Sequence, residues 1–305
     1  MQGEVSRPMY PLAPVTHLAS VGSTQDVARR ILEGGGAGCD DAGGAKEEVW
    51  IGAPPRYFAV SASEQNHGRG TSGRDWIGRP GNCFVTACVP TDSIRSVPVT
   101  LLPLKVGTIV ASHVHRILRQ NGSTDSIVKV KWPNDVLVND KKIAGVLIES
   151  HYDPKSGDCW FLVGVGLNVA HAPRIYQFGS ERGRQATCLA DHVPDYVSGS
   201  SGDDCDAGDD GVEQARRLAS DLASSICSWA SESSRAVAGS IGHTPEAAEA
   251  VVREWEGWAE FGKVQILRDK PGNEAVVPLG IEPDGRLRVR GNDGRIRLLC
   301  ADYLL

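Results

Sequence analysis

Residues 127–150 constrain the fold of this chain more than any other stretch. Residues 127–132 alternate between apolar and polar, as a half-buried strand does. Trp132-Pro133-Asn134-Asp135 then turns the chain. Residues 136–138 and 143–150 flank Asn139-Asp140-Lys141-Lys142, which reads as a hairpin turn and leads back to an apolar Ala144-Gly145. Packing alone gives no reason for Lys131 at the end of the first run. The combination suggests a sheet that holds a cation against something anionic. A plainer alternative is a solvated edge strand, because Lys129 shares the parity of Lys131.

Strand and helix signals alternate through most of the remaining chain. Residues 57–63, 83–90 and 160–169 read as strands, the last broken by glycines. Leu104, Ile109, Val110, Val114, Ile117 and Leu118 recur at helical spacing within 101–120. Residues 212–230 and 245–258 also read as helices, the second opened by Thr244 as N-cap and Pro245 as first helical residue. Beyond residue 258 the texture changes. Short runs at 263–267, 275–279, 287–290 and 296–300 are separated by turns holding Gly272, Gly285 and Gly294. That pattern predicts a small all-β unit, a barrel of SH3-like size. The expected division is one domain over 1–260 and a second over 261–305. Residues 34–46 and 198–211 are small and polar, cannot bury a core, and are expected to be mobile surface loops.

Composition narrows the function classes. A length of 305 residues suits one large and one small domain. With 41% hydrophobic and 23% charged residues, the chain is ordinary for a globular protein. A net charge of −6 argues against nucleic-acid binding by the whole fold. No apolar run approaches the roughly 18 residues of a membrane span. Residues 1–14 lack the apolar core of a signal peptide, so a cytoplasmic protein is expected. Eight cysteines lie at irregular spacing without a C-x-x-C pair, and no H-E-x-x-H occurs; reduced thiols are expected rather than a zinc site. His113 and His115, two apart on a predicted helix, do not share a face.

Three further stretches could carry chemistry. In the first, residues 65–76, Gly68, Gly70 and Gly73 permit close backbone approach to a ligand. Successive amides there can form an anion nest, Arg69 and Arg74 suit phosphate, and Trp76 offers a flat face to a ring. The loop does not match G-x-x-x-x-G-K-[ST], so it is no P-loop. A solvated loop with incidental arginines is the bland alternative. Second, Ser23-Thr24-Gln25-Asp26 reads as a helix start with an imperfect capping box, whose hydroxyls could also meet a small ligand. Third, Gly164-Val165-Gly166-Leu167-Asn168-Val169 lacks the last glycine of a dinucleotide fingerprint. Its glycines matter if a flat group lies against the backbone.

Taken in order, these stretches resemble the signatures of biotin–protein ligases. The carriers are Gly68-Arg69-Gly70 through Gly73-Arg74 and Trp76, the block Lys131 to Asp135, the strand Lys142 to Glu149, and Gly164-x-Gly166-x-Asn168-Val169. The resemblance covers about residues 15–260, and residues 261–305 are similar to the family's small second domain. It implies an α+β fold with a mixed, mostly antiparallel sheet and packed helices of the class II synthetase type, plus an SH3-like barrel. It also implies activation of biotin by ATP as biotinyl-5′-AMP, with Mg2+ carried by ATP. Biotin then passes to a lysine of the acceptor domain of a carboxylase of the acetyl-CoA carboxylase type. By the same resemblance, Lys131 and Arg69 are catalytic cations, and Asp135 holds magnesium or orients the incoming lysine. Ser23, Thr24, Gln25, Gln65, Gly68, Gly70 and Gly145, with Arg69 and Lys131, are expected to surround biotin. Arg69, Arg74, Trp76, Asn134, Lys142 and Asn168 are expected to meet ATP.

The chain departs from that pattern at two positions. Many relatives carry a further arginine where this chain has Thr71, and a cation missing there is expected to speed leakage of biotinyl-AMP. Gln25 stands where Asn is frequent. Ser23 comes too early for a preceding helix-turn-helix domain, so no nucleic-acid partner is expected, and without an apolar span no membrane partner is; exposed strand edges leave an oligomer open. The rivals are a lipoate or octanoyl transferase of the same fold and a non-catalytic biotin- or nucleotide-binding regulator.

Overall fold

Strands of period two and helices of period 3.6 meet here across one large sheet. The computed structural model describes residues 13–34, 54–173, 185–198, 209–236, 242–267 and 274–301. In chain order these form β1 (Val15–Val21), α1 (Thr24–Leu32), β2 (Phe58–Arg69), β3 (Asp75–Gly78), β4 (Cys83–Pro90), α2 (Leu102–Gln120), β5 (Val128–Lys131), β6 (Asp135–Val138), β7 (Lys141–Tyr152), β8 (Cys159–Leu167), α3 (Pro194–Ser198), α4 (Asp209–Ala236) and α5 (Pro245–Glu256). A second set follows: β9 (Gln265–Leu267), β10 (Glu274–Ile281), β11 (Leu287–Gly291) and β12 (Ile296–Leu299).

The large sheet runs β1-β2-β4-β8-β7-β6-β5, with β3 paired to β2. β1 and β2 are parallel, and every other pair is antiparallel. The predicted α+β class therefore stands. Alternate residues sort to opposite faces, as the pleat requires. Val85, Ala87, Val146, Ile148, Val163 and Val165 share one core with Val110 and Val114 of α2 and Leu222 and Ile226 of α4. On the other face, Val27, Ala28 and Ile31 of α1 pack on Phe58, Val60, Cys88 and Leu162. Beyond α1, β7 and β8 present glycines to that face and leave an open floor.

The β6–β7 turn consists of Asn139 and Asp140, both left-handed at φ 49° and 63°. Such a two-residue turn matches the twist of a tight hairpin. Lys141 and Lys142, expected in the turn, instead begin β7. Helix α4 begins at Asp209, so the last residues of the expected 198–211 loop are helical; most of both glycine-rich insertions lies outside the described residues. His113 turns to Ser225 on α4 at 3.0 Å, whereas His115 packs edge-on to Trp258, so the two do face apart.

β9 to β12 form an antiparallel sheet in the order β12-β11-β10-β9. No pairing of β9 with β12 occurs among the described residues, so the expected barrel is not closed there. β9 has three residues and β12 four, which limits the ladder either can add. The β10–β11 turn docks this unit: Thr100 Oγ1 donates to the Asp284 carbonyl at 2.7 Å, and Trp132 Nε1 donates to the Gly285 carbonyl at 3.0 Å. Gly285 has φ +84°, and a Cβ there would lie 3.0 Å from Thr100.

None of the six cysteines among the described residues is paired. Burial pushes the Cys83 and Cys227 thiols up to about 12, which keeps them protonated and inert. No helix among the described residues is long and apolar enough to cross a membrane.

Candidate active site

A cleft of about 300 Å³ opens over β7 and β8, at the small end of ligand-pocket sizes. Its floor is made of glycines. Gly145 of β7 and Gly166 of β8 are direct cross-strand partners. The Trp76 indole lies over them: a Cβ at Gly166 would meet the ring at 2.4 Å and one at Gly145 at 3.0 Å. Gly164 plays the same part for Gln25, whose Nε2 would lie 2.8 Å from a Cβ there. So a flat group does lie against the glycine strand, and it is the chain's own Trp76. Gly145, expected to leave room for biotin, makes room for Trp76 and Lys142. Trp76 Nε1 is buried without a hydrogen-bond partner.

The first turn of α1 forms one wall. Ser23 caps the helix, its hydroxyl accepting from Gln25 N at 3.4 Å. Thr24 donates to Gln65 Oε1 twice, from its backbone N at 2.8 Å and its hydroxyl at 3.1 Å. The Thr24 hydroxyl also meets that of fully buried Thr86 at 2.9 Å. With Oε1 taken, the Gln65 amide nitrogen is its group left for a ligand acceptor. Gln25 Nε2 donates to the Leu147 and Leu162 carbonyls at 3.0 and 3.2 Å, so it fastens α1 to the sheet.

The glycine-rich stretch is the tip of a β2–β3 hairpin. Gly68 pairs with Trp76 and Arg69 with Asp75. Gly70 N donates to the Arg74 carbonyl at 2.6 Å and closes the tip. Arg74 turns back on that tip, giving Nε to the Thr71 carbonyl at 3.0 Å and Nη2 to its hydroxyl at 2.9 Å. Thr71 therefore holds Arg74. Gly68 does not line the cleft: a Cβ there would lie 2.5 Å from the Trp76 carbonyl, so the residue is small to let β3 approach.

Arg69 is committed to carboxylates rather than to open solvent. It reaches Asp26 at 2.7 Å and Glu149 at 3.1 and 3.2 Å. These bonds, Asp26 first, raise its pKa above the ordinary guanidinium value despite burial. The expectation that Arg69 covers a phosphate is not what this geometry gives.

Arg69, Arg74 and Lys142 all line the cleft, and Lys142 is the cation at its glycine floor. Its ammonium lies 2.5 Å from Asp135 and 5.3 Å from the centre of the Trp76 ring. Lys131, expected in that role, is absent from the residues that line the cleft. It sits on the outermost strand β5 opposite Asp135, one strand beyond the carboxylate that Lys142 uses. Two further expected ATP contacts line the cleft but spend their amide nitrogens elsewhere. Asn134 Nδ2 donates to the Val146 carbonyl at 2.7 Å, and Asn168 Nδ2 to the Thr187 carbonyl at 3.0 Å. Both are buried and brace the cleft wall. Thr86, Asp26 and Glu149 have site roles the sequence reading did not give them. For Glu149 the available signal is an acid that closes the apolar run from Ile143 to Ile148, on the parity of Gly145.

Among the described residues, no three His, Cys, Asp or Glu gather as metal ligands. Asp135 is taken by Lys142, so this donor set does not fit a protein-held metal.

Residues 44–168 match the family described as Biotin/lipoate A/B protein ligase family. A biotin–[acetyl-CoA-carboxylase] ligase of Paracoccus denitrificans is 35% identical over 114 residues, which cover 37% of this chain and 45% of that relative. The match thus spans under half of the relative's length. A biotin protein ligase from Leishmania major, solved with biotinyl-5-AMP, is 27% identical with a TM-score of 0.52, covering 94% of this chain and 99% of that one. A biotin protein ligase from Aquifex aeolicus, solved with biotin and ATP, shares the fold at 19% identity and a TM-score of 0.57, covering 95% and 97% of the two chains. The fold is the one shared with these biotin protein ligases, and the matched residues 44–168 contribute most of the cleft's floor. Within the biotin/lipoate ligase class, the relatives named here are biotin–protein ligases.

Proposed function

We propose that the chain is a biotin–protein ligase. The biotin carboxylate attacks the α-phosphorus of ATP, the bond to the β-phosphate oxygen breaks, and pyrophosphate leaves. The amine of an acceptor-domain lysine then attacks the acyl carbon of biotinyl-5′-AMP, loses a proton and releases AMP. Both steps need positioning and charge neutralisation more than a covalent protein nucleophile.

The observation that carries this reading is a lysine ammonium held over a glycine floor. Lys142 lies above Gly145 and beside Trp76, where a carboxylate and a phosphate can approach each other. Asp135 fixes the ammonium and leaves its remaining donors free for anionic oxygen. Thr24 and Gln65 supply oriented polar atoms for the ureido ring, and Trp76 borders the nucleotide once it yields the floor. In this reading Asp135, while paired with Lys142, also orients the incoming lysine. Magnesium in this reading arrives with ATP, which suits an ion that prefers phosphate and water ligands; no step here is assigned to it. The acceptor is a biotin domain of a carboxylase, of the kind named for the Paracoccus relative. A cytoplasmic setting accords with the unpaired thiols. Residues 1–260 form the catalytic domain in this reading, and 261–305 the docked second unit.

The test is mass spectrometry of a carboxylase acceptor domain incubated with this protein, biotin and MgATP. One biotinyl group on one lysine is expected. Labelling with lipoate but not with biotin would assign the chain to the lipoate branch instead.

A further inference from the structure

Four charged side chains beside the cleft form a closed ring. Arg69 bonds to Asp26 and Glu149, and Arg29 bonds to the same two, at 3.3 Å to Asp26 and 2.7 Å to Glu149. The ring is neutral. Its members come from α1, the end of β2, and β7. These are the helix that forms one cleft wall, the strand that leads into the hairpin tip, and the strand that makes the floor.

Glu149 is the anchor. Its side chain is 9% exposed, against 35–44% for the other three. A buried carboxylate is stable only when paired and hydrogen-bonded. Glu149 accepts three charge-assisted bonds, two of them from Arg69. If Arg69 left for a phosphate, Glu149 would keep one bond and Asp26 would lose its shortest. The cost of that exchange falls on the buried partner.

We infer that Glu149 is a positioning residue: it holds Arg69 as a strut that sets the spacing between the Ser23–Gln25 wall and the Gly70–Arg74 hairpin tip, leaving Lys142 as the cation over the glycine floor. This rests on the biotin and ATP reading of the cleft. Ligand binding then depends on wall spacing, so losing the strut acts on KM before kcat.

Biotin-dependent ATP–pyrophosphate exchange tests this with Glu149→Gln, Arg69→Gln and the double variant. Each single change is expected to raise KM for biotin about tenfold, the scale of coupling within a charge network, and the double variant to be no worse than either. kcat should move less than about threefold, as for lost ground-state binding. Additive effects overturn the strut. So does an Arg69→Gln variant that loses kcat while Glu149→Gln keeps both constants, because Arg69 would then act on the phosphates directly. If Glu149→Gln fails to fold, Asp26→Asn cuts the strut at its half-exposed end and is read in the same way. A wild-type chain without biotin-dependent exchange overturns the functional reading itself, and it shows before any variant is made.

Discussion

Lys142 and Asp135 form an ion pair at 2.5 Å across neighbouring strands. Register makes the pair possible: Asp135 is opposite Gly145, and an irregularity between Val136 and Leu137 brings Lys142 opposite Leu137. The lysine then folds over a residue without a side chain. Lys142→Ala is expected to lower biotin-dependent pyrophosphate exchange by about 100-fold or more, the usual cost of removing one preorganised charge partner. Lys131→Ala should cost far less. The reverse ranking would return Lys131 to the site.

Gly166 holds the Trp76 ring by having no Cβ. Gly166→Ala is expected to displace the indole and to cost about 1–3 kcal/mol by overpacking. Thermal unfolding and tryptophan emission read the two effects. An unchanged emission spectrum would mean that the ring does not rest on β8.

His113 should make the fold acid-sensitive. Arg116 donates to its Nδ1 at 2.9 Å, so Nε2 carries the proton and donates to Ser225. Burial and then the Arg116 charge hold its pKa below 6.5. A lowered native pKa means that the unfolded chain binds the proton first, so this contribution is whole above about pH 6.5 and fades as pH falls. His113→Gln should flatten the fall in stability between pH 7 and 5. An equally steep fall in the variant would place the acid sensitivity elsewhere, with His17 and His192 next in line because burial lowers both.

Trp132→Phe keeps an aromatic, though smaller, side chain and removes the donor to the Gly285 carbonyl. A loss of about 0.5–1.5 kcal/mol is expected. Limited proteolysis should cut beyond residue 258 sooner than in the wild type. Unchanged cleavage would show that the Thr100 bond alone secures the turn.

What could be read from the sequence was what period and turn chemistry specify. β4, α2 and the β6–β7 hairpin stand where a short β-type run, helical spacing and Asn139-Asp140 placed them. β1 gave no such signal. It pairs in parallel, so no tight turn announces its partner, and its inward positions include Thr16. β3 is four residues long and fully buries none of them. In the candidate site, the motif residues were legible and their partners were not. Lys131 and Lys142 both lie near Asp135, and strand order decides which one reaches the cleft. Arg69 reads as a phosphate ligand until Glu149, eighty residues later, lies beside it.

The turn at Asp284 and Gly285 also limits how interchangeable the second unit is. Two backbone carbonyls of one turn take donors from Thr100 and Trp132, and Trp132 adjoins the Asn134 and Asp135 that face the cleft. A foreign second unit grafted at residue 260 would fit only if its own turn kept a left-handed glycine and both outward carbonyls. The portable piece is therefore the unit together with its socket, and recombination between relatives should succeed when Thr100 and Trp132 travel with it.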